Sequence, residues 1–173
     1  ASDVYKRQVH EDHQYPVDFF PFTTTPQKDM VTGARGDVLS RAKLLDMVPK
    51  IFYTGTSTEY WTRASSLLHS SVDGLVDIPL DHRVRLYVFV GAQHGVWSYT
   101  NKGYFDNCIN PLDHRPPMID LLSHLVRWIS NKALPPKSVF PKIKDKTLGL
   151  VSSWQSAFPK ISSVRLPSEN LAP

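Results

Sequence analysis

The chain has 173 residues, of which 41% are hydrophobic and 21% charged, a composition typical of one folded globular domain and not of a disordered, collagen-like or coiled-coil protein. The 20 Lys and Arg side chains exceed the 16 Asp and Glu side chains by a formal net charge of only +4, which disfavours a nucleic-acid-binding protein. The longest apolar run, Leu86–Ala92, is far shorter than the roughly 20 residues of a membrane-spanning helix, and the lone Cys108 excludes an internal disulfide and a thiolate zinc cluster.

The first 13 residues contain neither an initiator Met nor the charged-then-apolar layout of a signal peptide. The stretch Ser2–Gln8 resembles the adaptor-derived start of genes predicted from short-read environmental DNA. We therefore expect residues 1–13 to be artefactual or disordered. We also expect a bacterial gene fragment that lacks its N-terminal part, so a cytoplasmic and an exported location both stay open.

Loop, helix and strand signals alternate over the first half of the chain. Residues 15–36 are rich in Pro, Gly, Thr and aromatic side chains without a period, which predicts an ordered loop packed by its Phe side chains. Asp37 is a helix-cap residue, and the helix it predicts closes at Pro49. Lys50–Thr54 then predicts a short strand, and a second helix is expected from about Thr58 to His69.

The second half contains a strand, a helix and a further strand. Arg85–Val90 is apolar on both faces, as in a strand that helices cover on both sides. Met118–Asn131 has a broad apolar stripe at helical spacing. A last strand is expected near Thr147–Val151, and the Ser- and Pro-rich tail 152–173 has no assigned element. The alternation predicts an α/β fold over residues 14–151, with a parallel sheet that is incomplete in this chain.

Glu59 and His94 follow the two predicted strands, at the carboxyl ends where α/β sheets place catalytic groups. A neutral imidazole can take a proton from a hydroxyl, and a carboxylate on its far nitrogen fixes the tautomer. The order acid, then His, after successive strands is that of the last two members of an α/β-hydrolase triad. The pattern predicts Glu59 as the acid and His94 as the base.

Two alternatives stay open, and in the second the acid would be Asp73, Asp77 or Asp81. Glu59 can be a first-turn carboxylate favoured by the helix dipole, and His94 a hydrogen-bonded structural residue, in a non-catalytic binding or interaction module. Alternatively Ser57 is the nucleophile, because Gly55-Thr-Ser-Thr-Glu59 resembles a nucleophile elbow except for its last position. Asp113 follows His94, so we expect it to brace its own loop by local hydrogen bonds.

No metal or organic cofactor is expected. The pair His10 and His13 comes closest to a metal motif but lacks the i, i+4 spacing of a zincin helix. The other histidines, at positions 69, 82, 114 and 124, have no ligand-like spacing with a nearby acid. Cys108 lacks the helix-start setting of a reactive thiol. Basic residues at Lys142–Lys146 are too isolated to predict nucleic-acid binding.

Four segments, taken in order, resemble the bacterial proteins called alpha/beta hydrolase domain-containing: Tyr15–Phe22, Pro49–Trp61, Val84–Gly95 and Asn110–Pro116. The resemblance covers roughly residues 14–150. It implies the C-terminal part of a serine hydrolase that acts on a small-molecule ester or related acyl bond, with Glu59 and His94 matching the acid and the base. The Gly-x-Ser-x-Gly elbow and oxyanion loop of that family would lie upstream, because no stretch here matches them. The oligomeric state stays open.

Overall fold

The structure, a computed structural model, describes residues 20–62, 64–94 and 112–150. The predicted N-terminal segment 1–13, the residue Cys108 and the tail 152–173 lie outside the described residues. Within the described ranges, no helix combines the length and the apolar character needed to cross a membrane.

Seven elements and one 3₁₀ turn form the described part of the fold. In chain order they are β1 (Gln27–Lys28), β2 (Arg35–Gly36), α1 (Ser40–Leu44), β3 (Ile51–Thr56), α2 (Ser57–Thr62), the 3₁₀ turn Ser65–Leu68, β4 (Val84–Phe89) and α3 (Arg115–Asn131). β1 and β2 form a short antiparallel pair, whereas β3 and β4 run parallel. This mixture of helices with a small parallel sheet is consistent with the α/β class.

β4 pairs with β3 in a two-stranded parallel sheet. Its register with β3 runs from Ile51 opposite Val84 to Thr56 opposite Phe89. On its other side Val139 forms a single-residue parallel bridge with Tyr87. Neighbours on both edges pair the backbone groups of the strand, and Val84, Leu86 and Tyr87 are buried. The strands expected at Lys50–Thr54 and Arg85–Val90 are therefore confirmed, within a residue or two at each end.

The prediction of a strand near Thr147–Val151 is wrong for residues 147–150, which do not form a strand. The N–H groups of Thr147 and Leu148 both donate to the carbonyl of Lys142, at 3.1 and 3.0 Å. The Thr147 hydroxyl accepts from the Lys142 N–H at 2.8 Å, so a local side-chain bond competes with strand pairing. Val151 itself lies outside the described residues.

Both helices predicted in the first half are shorter than expected. α1 begins at Ser40 and ends at Leu44, well before Pro49. The helix expected up to His69 ends as α2 at Thr62, and Ala64 then takes a left-handed conformation with φ 49°. Polar side chains near these ends bind the backbone locally, as when the Ser65 hydroxyl donates to the Glu59 carbonyl at 3.0 Å. Such bonds compensate for lost helical ones.

The N-terminal loop is tied to the amino end of β4 through a partly buried polar cluster. The Lys43 ammonium donates to the Thr24 carbonyl at 2.8 Å and to the Asp37 carboxylate at 3.1 Å, and Asp81 lies 3.6 Å from it. Phe20 and Phe22 meet edge to face, as expected of a loop packed by its Phe side chains. This cluster is at the opposite end of β4 from His94.

α3 begins three residues earlier than predicted and packs on the sheet through Trp128. Its first turn contains Pro116 and Pro117, which fit there because first-turn N–H groups have no helical partner. The Trp128 ring is 5% exposed and lies 5.9 Å from the Phe52 ring. The Lys50 ammonium donates to the Trp128 carbonyl, which joins this helix to the start of β3.

Candidate active site

Glu59 is held by a capping box at the junction of β3 and α2. The sequence Thr56-Ser-Thr-Glu59 has the T-x-x-E spacing of that motif. Oε2 of Glu59 accepts from the Thr56 N–H at 2.8 Å and also from the Thr56 hydroxyl. The Thr58 N–H in turn donates to Oγ1 of Thr56 at 3.3 Å. The carboxylate therefore has a defined position before any contact with His94 is considered.

The second oxygen of Glu59 meets His94. Oε1 is hydrogen-bonded to Nδ1 of the imidazole, across 35 residues of sequence. An ionised carboxylate can only accept, so Nδ1 is the donor and the neutral ring leaves Nε2 without a proton. The two residues expected to be acid and base are thus in contact. Glu59 therefore stabilises the start of α2 through Oε2 and contacts His94 through Oε1 at the same time.

Two further hydroxyl side chains of α2 hold the turn that carries His94. Oγ of Ser57 accepts from the Gly91 N–H at 2.7 Å, and Oγ1 of Thr58 accepts from the His94 N–H at 3.2 Å. Gly91 has φ +85°, and a Cβ there would approach Leu112 to 3.1 Å, so a side chain is unfavourable on both counts. Thr56, Ser57 and Thr58 together fix both members of the pair.

The structure does not support Ser57 as a nucleophile, because its hydroxyl is not hydrogen-bonded to the His94 ring. The Ser57 oxygen is engaged by the Gly91 amide, and among the described residues the hydrogen bonds of His94 go to Glu59 and Thr58. A nucleophile needs its hydroxyl within hydrogen-bond reach of the base. Ser57 is therefore a positioning residue of the turn in this structure.

The side chains of Glu59 and His94 differ in their exposure to solvent. The Glu59 side chain is 21% exposed and the His94 side chain 71%. Burial of the carboxylate would raise its pKa, but the hydrogen bonds from Thr56 and His94 outweigh burial and lower the pKa of Glu59 to about 2. Glu59 is ionised at neutral pH. The imidazole edge bearing Nε2 has no hydrogen-bond partner among the described residues.

Asp113 has the bracing role expected from its place in the chain. Its carboxylate accepts from the Arg115 backbone N–H at 2.9 Å and from two guanidinium nitrogens of that residue. The hydrogen bonds from Arg115 lower the pKa of Asp113 to about 2. Because the carboxylate is engaged at the start of α3, it is not the partner of His94.

His69 is a structural residue that the sequence did not single out. It is fully buried, its Nε2 is hydrogen-bonded to the Tyr60 hydroxyl at 3.0 Å, and its ring lies 4.5 Å from that of Phe140. Burial lowers the pKa of His69, so the ring is held neutral. It braces the helix that carries Glu59. No spacing pattern in the sequence predicts the contacts of His69 with Tyr60 and Phe140. The T-x-x-E motif, in contrast, could have predicted that Thr56 caps α2.

No family model matches the chain, and neither a curated protein nor a solved structure matches it. Among the described residues there is also no group of three His, Cys, Asp or Glu side chains that could hold a metal ion. The contact between Glu59 and His94 is therefore the observation from which a function has to be inferred.

The lowered pKa of Glu59 predicts a specific loss of stability in acid. A carboxyl with a pKa of about 2 in the folded chain and an ordinary value when unfolded stabilises the fold above pH ~4.5. That contribution disappears as pH falls from about 4.5 through 2, because the unfolded chain then binds the extra proton. Glu59→Gln should remove about 1–2 kcal/mol of this pH dependence, after allowance for solvent screening.

Urea unfolding of both proteins at pH 5 and at pH 3 measures the effect. Asp145→Asn, at an exposed carboxylate, is the matched control and should follow the wild type. Parallel pH profiles for wild type and Glu59→Gln would show that the Glu59 carboxylate is not selectively stabilised.

Proposed function

We propose that Glu59 and His94 are the acid and the general base of a serine hydrolase acting on carboxylic esters or related acyl bonds. The observation that carries this proposal is the hydrogen bond between Oε1 of Glu59 and Nδ1 of His94, with the opposite edge of the ring exposed. We further propose that the parallel strands and flanking helices are the C-terminal part of an α/β-hydrolase fold. The positions of both residues after successive parallel strands support this.

In the proposed reaction Nε2 of His94 takes the proton of a serine hydroxyl as its oxygen attacks the acyl carbon. The imidazolium then gives that proton to the departing alkoxide, which leaves an acyl-serine. Water attacks this acyl group by the same proton transfers in reverse order and releases the acid. Glu59 keeps the proton on Nδ1 and stabilises the imidazolium. We place the attacking serine outside this sequence, because no stretch of it matches the Gly-x-Ser-x-Gly elbow.

A non-catalytic α/β binding or interaction module is the second candidate. The observation that favours it is the capping box, because Glu59 already stabilises the start of α2 through Oε2. In that case the exposed His94 would be an accessory partner of the carboxylate. Both candidates contain the hydrogen bond between Glu59 and His94. They differ in whether Nε2 of His94 takes a proton from a reacting hydroxyl.

Nitrogen-15 NMR of the labelled chain tests the hydrogen bond that the proposed general base requires. At a pH where the rings are neutral, His94 should show a protonated Nδ1 and a bare Nε2. Glu59→Gln should redistribute the proton between the two nitrogens, because the amide no longer demands a donor. His82→Gln, at an exposed histidine, identifies signals by elimination and should leave those of His94 unchanged. A mixed tautomer in the wild-type chain would contradict the proposed base.

The chain alone should not hydrolyse a short-chain nitrophenyl ester above background. The acid and base are present, but the structure places no hydroxyl of the described residues on Nε2 of His94. Release of nitrophenol measures turnover, and a serine-directed phosphonate followed by mass spectrometry identifies any nucleophile. Turnover that is abolished by labelling of Ser57 would make Ser57 the nucleophile and overturn the assignment to an upstream serine.

A further inference from the structure

His69 is a fully buried imidazole with one ring nitrogen that lacks a partner. The residue is 0% exposed, and its Nε2 is hydrogen-bonded to the Tyr60 hydroxyl at 3.0 Å. Nδ1 is buried and has no hydrogen-bond partner among the described residues. An imidazolium has an N–H on both nitrogens. Protonation would therefore bury a charge together with an unsatisfied donor, which is far less favourable than burial of the neutral ring.

The His69 ring lies where three segments of the described chain meet. The Tyr60 ring, on α2, stacks on it at a centroid distance of 5.9 Å, and the Phe140 ring lies 4.5 Å away. The His69 carbonyl accepts from the Ile78 N–H at 2.8 Å, which holds the loop that follows the 3₁₀ turn. A change in the charge of the ring therefore acts on α2, on this loop and on the 139–148 segment together.

The titratable groups that face His69 from these segments are Tyr60, Asp77 and Lys142. Burial raises the pKa of Tyr60 to about 12, so that group stays neutral. The Lys142 ammonium lies 5.1 Å from the centre of the Phe140 ring, and a charged His69 would place a second cation beside the same ring. Burial is the largest cause of the lowered pKa of His69, Asp77 opposes it and Lys142 adds to it.

The carboxylate that would stabilise an imidazolium already holds the 139–148 segment. Oδ1 and Oδ2 of Asp77 accept from the backbone N–H groups of Ile143 and Lys144, both at 2.9 Å. Neither oxygen is hydrogen-bonded to the His69 ring. On protonation, either the ring leaves its buried site or Asp77 turns towards Nδ1. The first change breaks the contact with Phe140 and the second breaks both N–H bonds, so each of them loosens the same segment.

The 139–148 segment has a second attachment, which does not involve His69. The Val139 N–H donates to the Leu86 carbonyl, and the Val88 N–H donates to the Val139 carbonyl, both at 2.9 Å. These backbone groups do not titrate. Protonation of His69 is therefore expected to release residues 140–148 while Val139 stays on the sheet.

We propose that His69 is a pH-sensitive latch, whose protonation releases residues 140–148 from α2 and from the loop that contains Asp77. Above pH 6.5, the ordinary pKa of an imidazole, the ring is neutral in the closed and the open form, and the latch stays closed. Below this pH only the open form readily binds the proton. The opening constant then increases about tenfold per pH unit, until the pH reaches the lower pKa of the closed form. This inference does not depend on the proposed function.

Amide hydrogen exchange of the 173-residue chain, followed by NMR at pH 7.5 and at pH 5, tests the latch. The lower pH is above the range in which Glu59 takes up its proton. Corrected for the intrinsic effect of pH, the protection of the Ile143 and Lys144 amides should fall on the order of tenfold. The Ile51 amide, which donates to the Arg83 carbonyl, should keep its protection.

His69→Gln tests whether the ring is the group that titrates. The amide can still form a hydrogen bond to Tyr60 but cannot become charged, so this variant should keep the protection of Ile143 and Lys144 at pH 5. His82→Gln is the matched control, because the His82 side chain is 80% exposed, and it should behave like the wild type.

Three results would overturn the latch: unchanged protection of Ile143 and Lys144 in the wild type at pH 5, a loss that persists in His69→Gln, or an equal loss at Ile51, which would show a general acid transition. If His69→Gln does not fold, NMR titration of the wild type decides. The His69 ring should then titrate below pH 6.5, and the Ile143 and Lys144 amide signals should shift with the same midpoint. Different midpoints would rule out the latch.

Discussion

On the proposed function, His94→Ala is expected to lower kcat by several orders of magnitude in an active hydrolase that contains this chain. Removal of the proposed general base would leave the hydroxyl without a proton acceptor, and one missing member disables most of a triad. Glu59→Gln should cost somewhat less, on the order of 10³–10⁴-fold, because the amide keeps the shape but no longer holds the productive tautomer. Steady-state kinetics with a nitrophenyl ester measures both.

Asp113→Asn is the control for the choice of acid. The Asp113 carboxylate is engaged by Arg115, so its loss should leave kcat within about tenfold of the wild type. Circular dichroism should show that all three variants fold. If Asp113→Asn were as damaging as His94→Ala while Glu59→Gln stayed active, then Glu59 would be only a capping residue and the proposed acid would be wrong.

Trp128→Ala is expected to have the largest effect on stability, lowering the free energy of unfolding by about 3–5 kcal/mol. The ring is 5% exposed and fills the space between α3 and the sheet, next to Phe52. The Lys50 ammonium and the Arg85 guanidinium lie 5.3 and 5.0 Å from its centre. Truncation therefore removes apolar packing and two cation–π contacts at once.

Urea unfolding followed by circular dichroism measures the loss. Leu134→Ala, at an 80% exposed residue outside the elements, should change stability by less than about 0.5 kcal/mol. If Trp128→Ala does not fold, Trp128→Phe supplies a measurable intermediate loss, because the smaller ring keeps part of the packing. Wild-type stability in Trp128→Phe and Trp128→Ala would show that α3 is not docked through this residue.

The contact between Glu59 and His94 could be predicted because it depends on local signals and one general rule. β-branched and aromatic runs predicted two strands, and an acid or a histidine directly follows each of them. Since the carboxyl ends of neighbouring parallel strands meet at one edge, the two side chains had to be near each other once the strands paired. The place of Asp113 after His94 in the chain predicted that it braces its own loop, and its carboxylate contacts Arg115.

The sequence by itself therefore determined the two strands, the long helix and the meeting of Glu59 and His94, because each depends on periodicity or on short-range order. Tertiary structure decided the remainder. The left-handed break at Ala64 and the bridge of Val139 to β4 each depend on a partner distant in the chain or on competing local hydrogen bonds. Burial of His69 against Phe140 is of the same kind. Hydrophobic periodicity identifies which face of an element is apolar, but the surface that covers that face is set by packing.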